Sequence, residues 1–498
     1  MMGDGESMKR KPIQGAFARG LLCIRGLLVD KTRLLGRMPG LVGVLMLSAC
    51  ALTPPESADI PLLPTQWQSA QYGPVAEADA LGQDAVTERW WESFDSPALE
   101  TVVQQVLAGN LDLEAAAARV EQAKAVAHMA GSELWPTLSA ALEASRQGGS
   151  GGSYDNRGHT HSVGLAASYE VDLWGGLRAG GRAAVSRAQA SGFDQHAARL
   201  SISAQAASDW VRWVALHERL MFAQANLASA LRLLEIVEAR QAAGAETRLA
   251  VAQQRTLVAS QRSEIASLRQ ATAQAGARLL SWVGQADWEI PRSDSLLQMR
   301  VPSIDAGLPS TLLTRRPDIA AAEARLRAAE ADVLVARAAM LPGLSLSATA
   351  ASHDGHFSRL LANPVYTLAA GLVAPIFNGG RLSAAHDQTL AQQRELLAVY
   401  RQTILVAFSD TQAALDGVRG SEEQAKAQQQ ELQQARETLT LAESRYRAGA
   451  ENQLVLLDAQ RALYAAQDAA VQRQAGRLIA AIDLYRALGG GWSIAMLE

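Results

Sequence analysis

The 498-residue chain carries 46 basic and 50 acidic side chains, a formal net charge of −4, and only two cysteines, Cys23 and Cys50. An acidic balance argues against nucleic acid or an anionic membrane face as a partner. No run of 18 apolar residues occurs, so the sequence predicts no helical membrane span.

Basic residues from Lys9 to Arg37 precede a short apolar run, 41–47, which ends in Ser48-Ala49-Cys50. A basic region, a brief hydrophobic core and small residues before a cut describe a secretory signal over 1–49, with Met8 and Met38 as alternative starts. Leu47-Ser48-Ala49-Cys50 is similar to a lipobox, in which Cys50 becomes the lipidated first residue of a bacterial lipoprotein. In that resemblance Ala51, standing where aspartate would retain the protein inside, implies outer membrane lipid. The leader holds eight basic and three acidic residues, so its removal leaves 38 against 47, a net charge of −9. The one remaining cysteine is then capped by lipid, and no disulfide, zinc site or thiol nucleophile is expected.

Residues 50–94 contain Pro54, Pro55, Pro61, Pro64 and Pro74 and read as an extended tether that wraps or spaces rather than packs. Trp90, Trp91 and Phe94 lead into a helix predicted from about 98 to 134, with Asp95 or Ser96 as its cap and Pro97 in its first turn. Trp135-Pro136 ends it.

Strict alternation follows. Leu138, Ala140, Leu142 and Ala144 oppose Thr137, Ser139, Glu143 and Ser145; Val163, Leu165, Ala167, Tyr169, Val171 and Leu173 oppose Gly164, Ser168, Glu170 and Asp172. A second pair of strands repeats the pattern, with Leu344, Leu346, Ala348 and Ala350 in one and Tyr366, Leu368, Ala370, Leu372, Ala374 and Ile376 in the other. The two hairpins, 136–174 and 342–377, have strands of about 11 or 12 residues, the length of a tilted strand crossing a bilayer. Glu170 and Asp172 on the small-residue face fit a water-filled barrel lumen. An ordinary half-buried periplasmic hairpin is the other reading. Four strands cannot close a barrel and open edges cannot sit in lipid, so the membrane reading requires several chains to share one barrel.

Long helical hairpins follow each pair of strands, at 176–283 and 380–487. In the second, Leu432, Ala435, Leu439, Ala442 and Tyr446, and then Leu456, Ala459, Leu463, Ala466 and Ala470, keep a 3,4 spacing, the seam of an antiparallel coiled coil. Its first arm, 381–447, would be roughly 100 Å long. The chain is duplicated: Gly244 matches Gly449, Asp112 matches Asp318, Pro136 matches Pro342 and Trp174-Gly175-Gly176 matches Asn378-Gly379-Gly380, all offset by 204 to 206 residues. Repeat 1 spans 95–300, repeat 2 spans 301–492, and 493–498 is a tail.

The chain resembles the outer membrane efflux protein family, the TolC-like channels, and within it the lipoprotein branch of tripartite drug and metal efflux systems. The resemblance rests on Cys50, Trp90-Trp91 with Phe94-Asp95, Asn110 to Asp112, Arg315-Arg316-Pro317-Asp318-Ile319, Ala374 to Arg381, Arg445-Tyr446-Arg447-Ala448-Gly449, Leu456 to Arg461, and Leu484 to Trp492. It implies an α plus transmembrane β fold. Three chains, a homotrimer, would give four strands each to one outer membrane barrel, continuing into an α-helical periplasmic tunnel. It also implies a periplasmic adaptor protein and an inner membrane pump as partners, with passive transport of drugs, toxic organics or metal ions.

By the same resemblance, Asp458 corresponds to an acidic position that rings the periplasmic aperture in threefold copy, with Glu451 a further candidate. Asp458 matches the second such position, and Val455 stands at the one three residues earlier, which is acidic in some members and here argues against a double ring; a solvated carboxylate on a helix flank is the plain reading of Asp458. Gly244 and Gly449 mark the hairpin tips, as left-handed turns with adaptor contact by the residues around them. Gly175, Gly176, Gly379 and Gly380 mark the bend from barrel to tunnel.

No phosphate-binding, metalloprotease or GxSxG motif is present, so no catalytic residue or cofactor is expected. His159, His161, His353 and His356 fall in predicted outer loops, where ordinary surface polarity explains them better than a metal would, since no other ligands accompany them. Trp210 and Trp213 read as packing. A type I protein secretion conduit and a periplasmic coiled-coil scaffold lipoprotein are the alternative functions.

Overall fold

The computed structural model describes residues 64, 66, 67, 88–148, 158–292 and 295–492. The signal sequence, Cys50, most of the tether and the tail lie outside the described residues.

A 3-10 turn, Trp90–Phe94, precedes α1 (Pro97–Gly109) and α2 (Leu111–Ser132), then β1 (Thr137–Gln147), β2 (Gly158–Val171), α3 (Gly176–Ala242) and α4 (Arg248–Val283). The second repeat follows as α5 (Leu312–Arg315), α6 (Pro317–Ala338), β3 (Gly343–Asp354), β4 (Pro364–Val373), α7 (Arg381–Arg447) and α8 (Gln453–Ala487). Internal duplication is plain in the lengths: α3 and α7 have 67 residues each, α2 and α6 have 22 each, and α4 and α8 have 36 and 35. A 67-residue helix is roughly 100 Å long. The strands form one antiparallel sheet in the order β1-β2-β3-β4.

Local chemistry sets the helix starts. Ser96 Oγ accepts from the Leu99 amide at 3.3 Å to cap α1, with Pro97 in the first position. Thr247 and Asn452 cap α4 and α8 in the same manner, each accepting from the amide three residues on at 3.1 Å.

The single helix expected over 98–134 is two. The chain becomes extended at Asn110, whose Oδ1 accepts from the amides of Asp112 and Leu113 to start α2 and whose Nδ2 donates to the Trp282 carbonyl at 2.9 Å. The break lets α1 lie over the end of α4: a Cβ on Gly109 would stand 2.4 Å from the Val283 carbonyl oxygen, and one on Gly284 2.4 Å from that of Gly109. The second repeat breaks at the equivalent place, extended at Arg316, whose guanidinium holds Asp318 at 2.7 Å and donates to the Ala487 carbonyl.

Parts of the predicted tether pack into the protein rather than wrapping around it. Trp67 is stacked on Phe408 at 5.2 Å, donates its indole N–H to the Gly307 carbonyl at 2.8 Å, and is buried among Leu312, Leu415, Leu484 and Leu488. Trp90, Trp91 and Phe94 belong to the largest core cluster, where Trp90 stacks on Tyr485. The flat aromatic face of Trp67 supplies the buried area that holds this part of the chain to the core. Trp210 lies in the same cluster and donates to the Pro291 carbonyl at 3.0 Å.

The sequence predicted no membrane-spanning helix. By length and composition alone α3 does contain one window apolar enough. Within that window 28% of the residues are buried, and the same helix places Trp210, Val211 and Val214 in the largest core cluster.

The close approach of Gly109 and Gly284 is testable. Gly109→Ala should cost about 1–3 kcal/mol through overpacking against backbone that cannot retreat, read as a lower Tm of the detergent-extracted protein. Gly131→Ala in α2, with nothing within 4 Å of the new methyl, should be neutral or slightly stabilising.

Candidate functional site

The sheet register decides which side chains share a face. Leu138, Ala167, Ala348 and Leu368 form one row across all four strands; Ala140, Leu165, Ala350 and Tyr366 form another, and Val171, Leu344 and Leu372 lie below. The opposite face carries rows such as Thr137, Ser168, Ser347 and Ala369, and Ser139, Ala166, Thr349 and Thr367. A slip of one residue between the repeats would have mixed the two sets. From Val163 to Val171 the apolar face runs roughly 26 Å along β2, which at the roughly 40° tilt of barrel strands covers about 20 Å of the roughly 25 Å apolar band of outer membrane barrels.

Both faces are open in the single chain. All of β1 is exposed, and Leu138, Tyr366 and Leu368 stand 72%, 79% and 74% exposed. An apolar patch of this kind on a water-facing surface marks a contact with membrane or protein. Among the described residues the outer edges of β1 and β4 have no partner strand.

Glu170 lies on the small-residue face, in register with Ser345 and Gly371. Asp172 does not share the strand with it, because β2 ends at Val171. Its carboxylate accepts from the amides of Leu177 and Arg178 at 3.1 and 3.0 Å and from Arg178 Nε at 2.9 Å. Asp172 therefore caps the start of α3, and the side chain assigned to the lumen is committed to the helix terminus, where a negative charge is stabilised. Partial burial pushes its pKa up, but the bonds from Arg178 and Leu177 outweigh that and leave it below the ordinary aspartate value. Asn378 Oδ1 makes the corresponding contact with the Leu382 amide in the second repeat.

Between strand and tunnel, Gly175 has φ 78°, Gly379 φ 63° and Gly380 φ 83°, conformations that L side chains avoid. Gly176 is needed for space instead, since a Cβ there would lie 2.8 Å from that of Ala338. Trp174 Nε1 donates to the Pro342 carbonyl at 2.7 Å and ties the two repeats together at this bend.

The hairpin tips at the far ends of the long helices are near copies. Gly244 and Gly449 both have φ 76°, the amides of Ala245 and Ala450 return to the carbonyls of Arg240 and Arg445 at 2.8 and 2.9 Å, and nothing lies within 4 Å of either glycine's Cβ position. These glycines serve backbone conformation alone. Side chains break the symmetry: where the first tip has Gln241 and Ala242, the second has Tyr446 and Arg447. The Tyr446 hydroxyl donates to Glu246 Oε1 at 2.9 Å, while Arg240 lies 4.6 Å over its ring and donates to its carbonyl at 2.9 Å. Sequence reasoning placed Tyr446 in the hairpin seam and missed this cross-tip cluster, because its partners Glu246 and Arg240 lie about 200 residues away in the chain.

Glu451 pairs with Arg445 of its own turn at 3.4 Å. Asp458 stands free of the tip on the exposed side of α8, 64% exposed, with Arg461 at 3.8 Å. Among the described residues no three histidines, cysteines or carboxylates gather as a metal site, and His161 packs edge-on against Phe357.

Paired helices of about 100 Å that rise into a short amphipathic sheet with open edges define an outer membrane channel protein with a helical tunnel. The chain belongs to the outer membrane efflux protein family, whose profile matches residues 102–285 and 308–490, one match per repeat. It is 44% identical over 458 residues, 90% of this chain and 95% of the other, to the pyoverdine export outer membrane protein OpmQ of Pseudomonas aeruginosa. Identity to the toluene efflux pump outer membrane protein TtgC of Pseudomonas putida is 30% over 461 residues, 91% of this chain and 94% of the other. The open state of the MtrE outer membrane channel of Neisseria gonorrhoeae superposes with a TM-score of 0.80 at 28% identity, covering 88% of this chain and 98% of that one.

Burial, then the bond to Glu246, pushes the Tyr446 pKa up to about 12. An unfolded tyrosine ionises near 10, so the fold keeps its proton where the unfolded chain has lost it. The contribution of this phenol to stability is whole below about pH 10 and disappears as pH rises toward 12. Tyr446→Phe should therefore lower Tm at neutral pH and make its decline from pH 10 to 12 shallower.

Proposed function

We propose that the protein is the outer membrane exit duct of a tripartite efflux system, working as a homotrimer. The observation that carries this is the continuous apolar face across both repeats, bounded by two strand edges that the chain cannot satisfy by itself. Three copies supply twelve strands, within the range of closed outer membrane barrels, and pair every edge. Their apolar faces then meet lipid and the small-residue faces, with Glu170, line water. Cys50 adds a lipid anchor in the outer membrane.

The long helices carry the lumen across the periplasm. The Gly244 and Gly449 tips lie at its inward end and meet the periplasmic adaptor, which couples the duct to an inner membrane pump. Asp458, exposed near that end, forms a ring of three carboxylates that favours cations at the aperture, and Glu451 adds charge from within the turn. Transport through the duct is passive and driven by the pump, without catalysis or cofactor. Small organic compounds are the cargo class, in line with the pyoverdine and toluene of the named relatives.

Conductance in planar bilayers tests the duct. Purified protein should elute from size exclusion as a trimer and give discrete, cation-preferring openings, and Asp458→Ala should reduce the cation preference several-fold. An unchanged preference removes the ring and keeps the duct; a monomer without conductance removes the shared barrel.

A further inference from the structure

Three segments far apart in the chain meet at one small cavity. Trp91 stands in the turn Trp90–Phe94, His196, Arg199 and Ser203 follow one another along α3, and Trp492 comes directly after a run of three glycines. Gly489, Gly490 and Gly491 have φ of 95°, 57° and 78°. A Cβ on Gly490 would stand 2.2 Å from Leu200 Cδ1, so the backbone here lies against α3. It carries the Trp492 ring to Phe193 and His196, with centroids 5.7 and 6.0 Å away. The duct reading gives neither tryptophan a role.

Both indoles are buried, Trp91 3% and Trp492 5% exposed, and neither Nε1–H has a hydrogen-bond partner. Buried donors left unpaired are rare. Both rings line a cavity of about 30 Å³, together with Glu88, His196, Arg199 and Ser203. That is room for roughly two waters, which admits one monatomic ion and excludes a phosphate or an organic acid. Desolvation holds the His196 pKa below the ordinary histidine value despite Glu88 nearby, so its imidazole is uncharged at neutral pH. Arg199 is the fixed cation on this wall, and it forms no salt bridge among the described residues. Glu88, His196 and Arg199 also line a larger cavity of about 510 Å³, and Glu88 and Arg199 are exposed, which gives a small ion a path from solvent.

We propose that the small cavity is a binding site for one monatomic anion such as chloride, which accepts from the indole N–H groups of Trp91 and Trp492 and has its charge balanced by Arg199. Indole and guanidinium donate and never accept. An ion that only accepts satisfies them together, whereas a water would also have to place two protons of its own. The bound ion ties the N-terminal turn and the Trp492 end of the chain to α3. It does so within one chain, whether or not the protein is a duct.

Crystals of the detergent-extracted protein grown in bromide test the site, and an anomalous bromide peak touching both indole nitrogens is expected. In solution, chloride replacing gluconate at constant ionic strength should raise Tm in a saturating manner, as a ligand of the folded state does. Trp91→Phe, which keeps a ring but removes the donor, should abolish that rise. Arg199→Gln, at an exposed side chain, should raise the chloride concentration of half-effect about tenfold, and it decides the matter if Trp91→Phe does not fold. Water alone in the cavity, or the Glu88 carboxylate seated on the indoles, overturns the proposal. A bromide peak without a chloride response, or with one that both variants leave unchanged, means an adventitious ion only and overturns it equally.

Discussion

Unpaired backbone at the edges of a sheet is the constraint from which the rest of this molecule follows. In hydrocarbon every N–H and C=O needs a partner inside the protein, and a four-stranded sheet leaves two edges without one. In the proposed trimer, then, no single chain completes the membrane segment by itself. Each chain's apolar face is already formed by the register between β2 and β3, where Ala167 meets Ala348 and Leu165 meets Ala350, so only the edges remain for association to satisfy. Membrane insertion and assembly are thus one event in the proposed trimer.

Below the sheet, the chain turns from period 2 to period 3.6 within a few residues, and both repeats use the same devices. A left-handed glycine redirects the backbone, and a polar side chain just past the strand, Asp172 or Asn378, takes up the first free amides of the long helix. The Asp172 contact shows how a helix terminus competes with a lumen for a carboxylate. The terminus wins because two amides and a guanidinium converge on it.

Duplication gives two hairpins that are alike in backbone and unlike at their points of contact. Tyr446, Glu246 and Arg240 form a cluster that neither tip could form with a copy of itself. Along α8 the seam toward α7 is apolar, while the seam toward the first repeat alternates glutamine with leucine, tyrosine and valine.

The sequence by itself determined whatever is local and periodic. Alternation revealed the strands, Ala- and Leu-rich 3,4 spacing revealed the long hairpins, and Pro and Gly-Gly placed at a constant offset revealed the duplication, because period and backbone stereochemistry are written in consecutive residues. Only the tertiary structure decided what depends on residues far apart in the chain. The breaks at Asn110 and Arg316 need the end of α4 and the end of α8 to come close. Trp67 needs Phe408 to stack on, and Tyr446 needs Glu246, 200 residues away. Such contacts leave no period in the sequence, since each is fixed by where two distant segments meet in space.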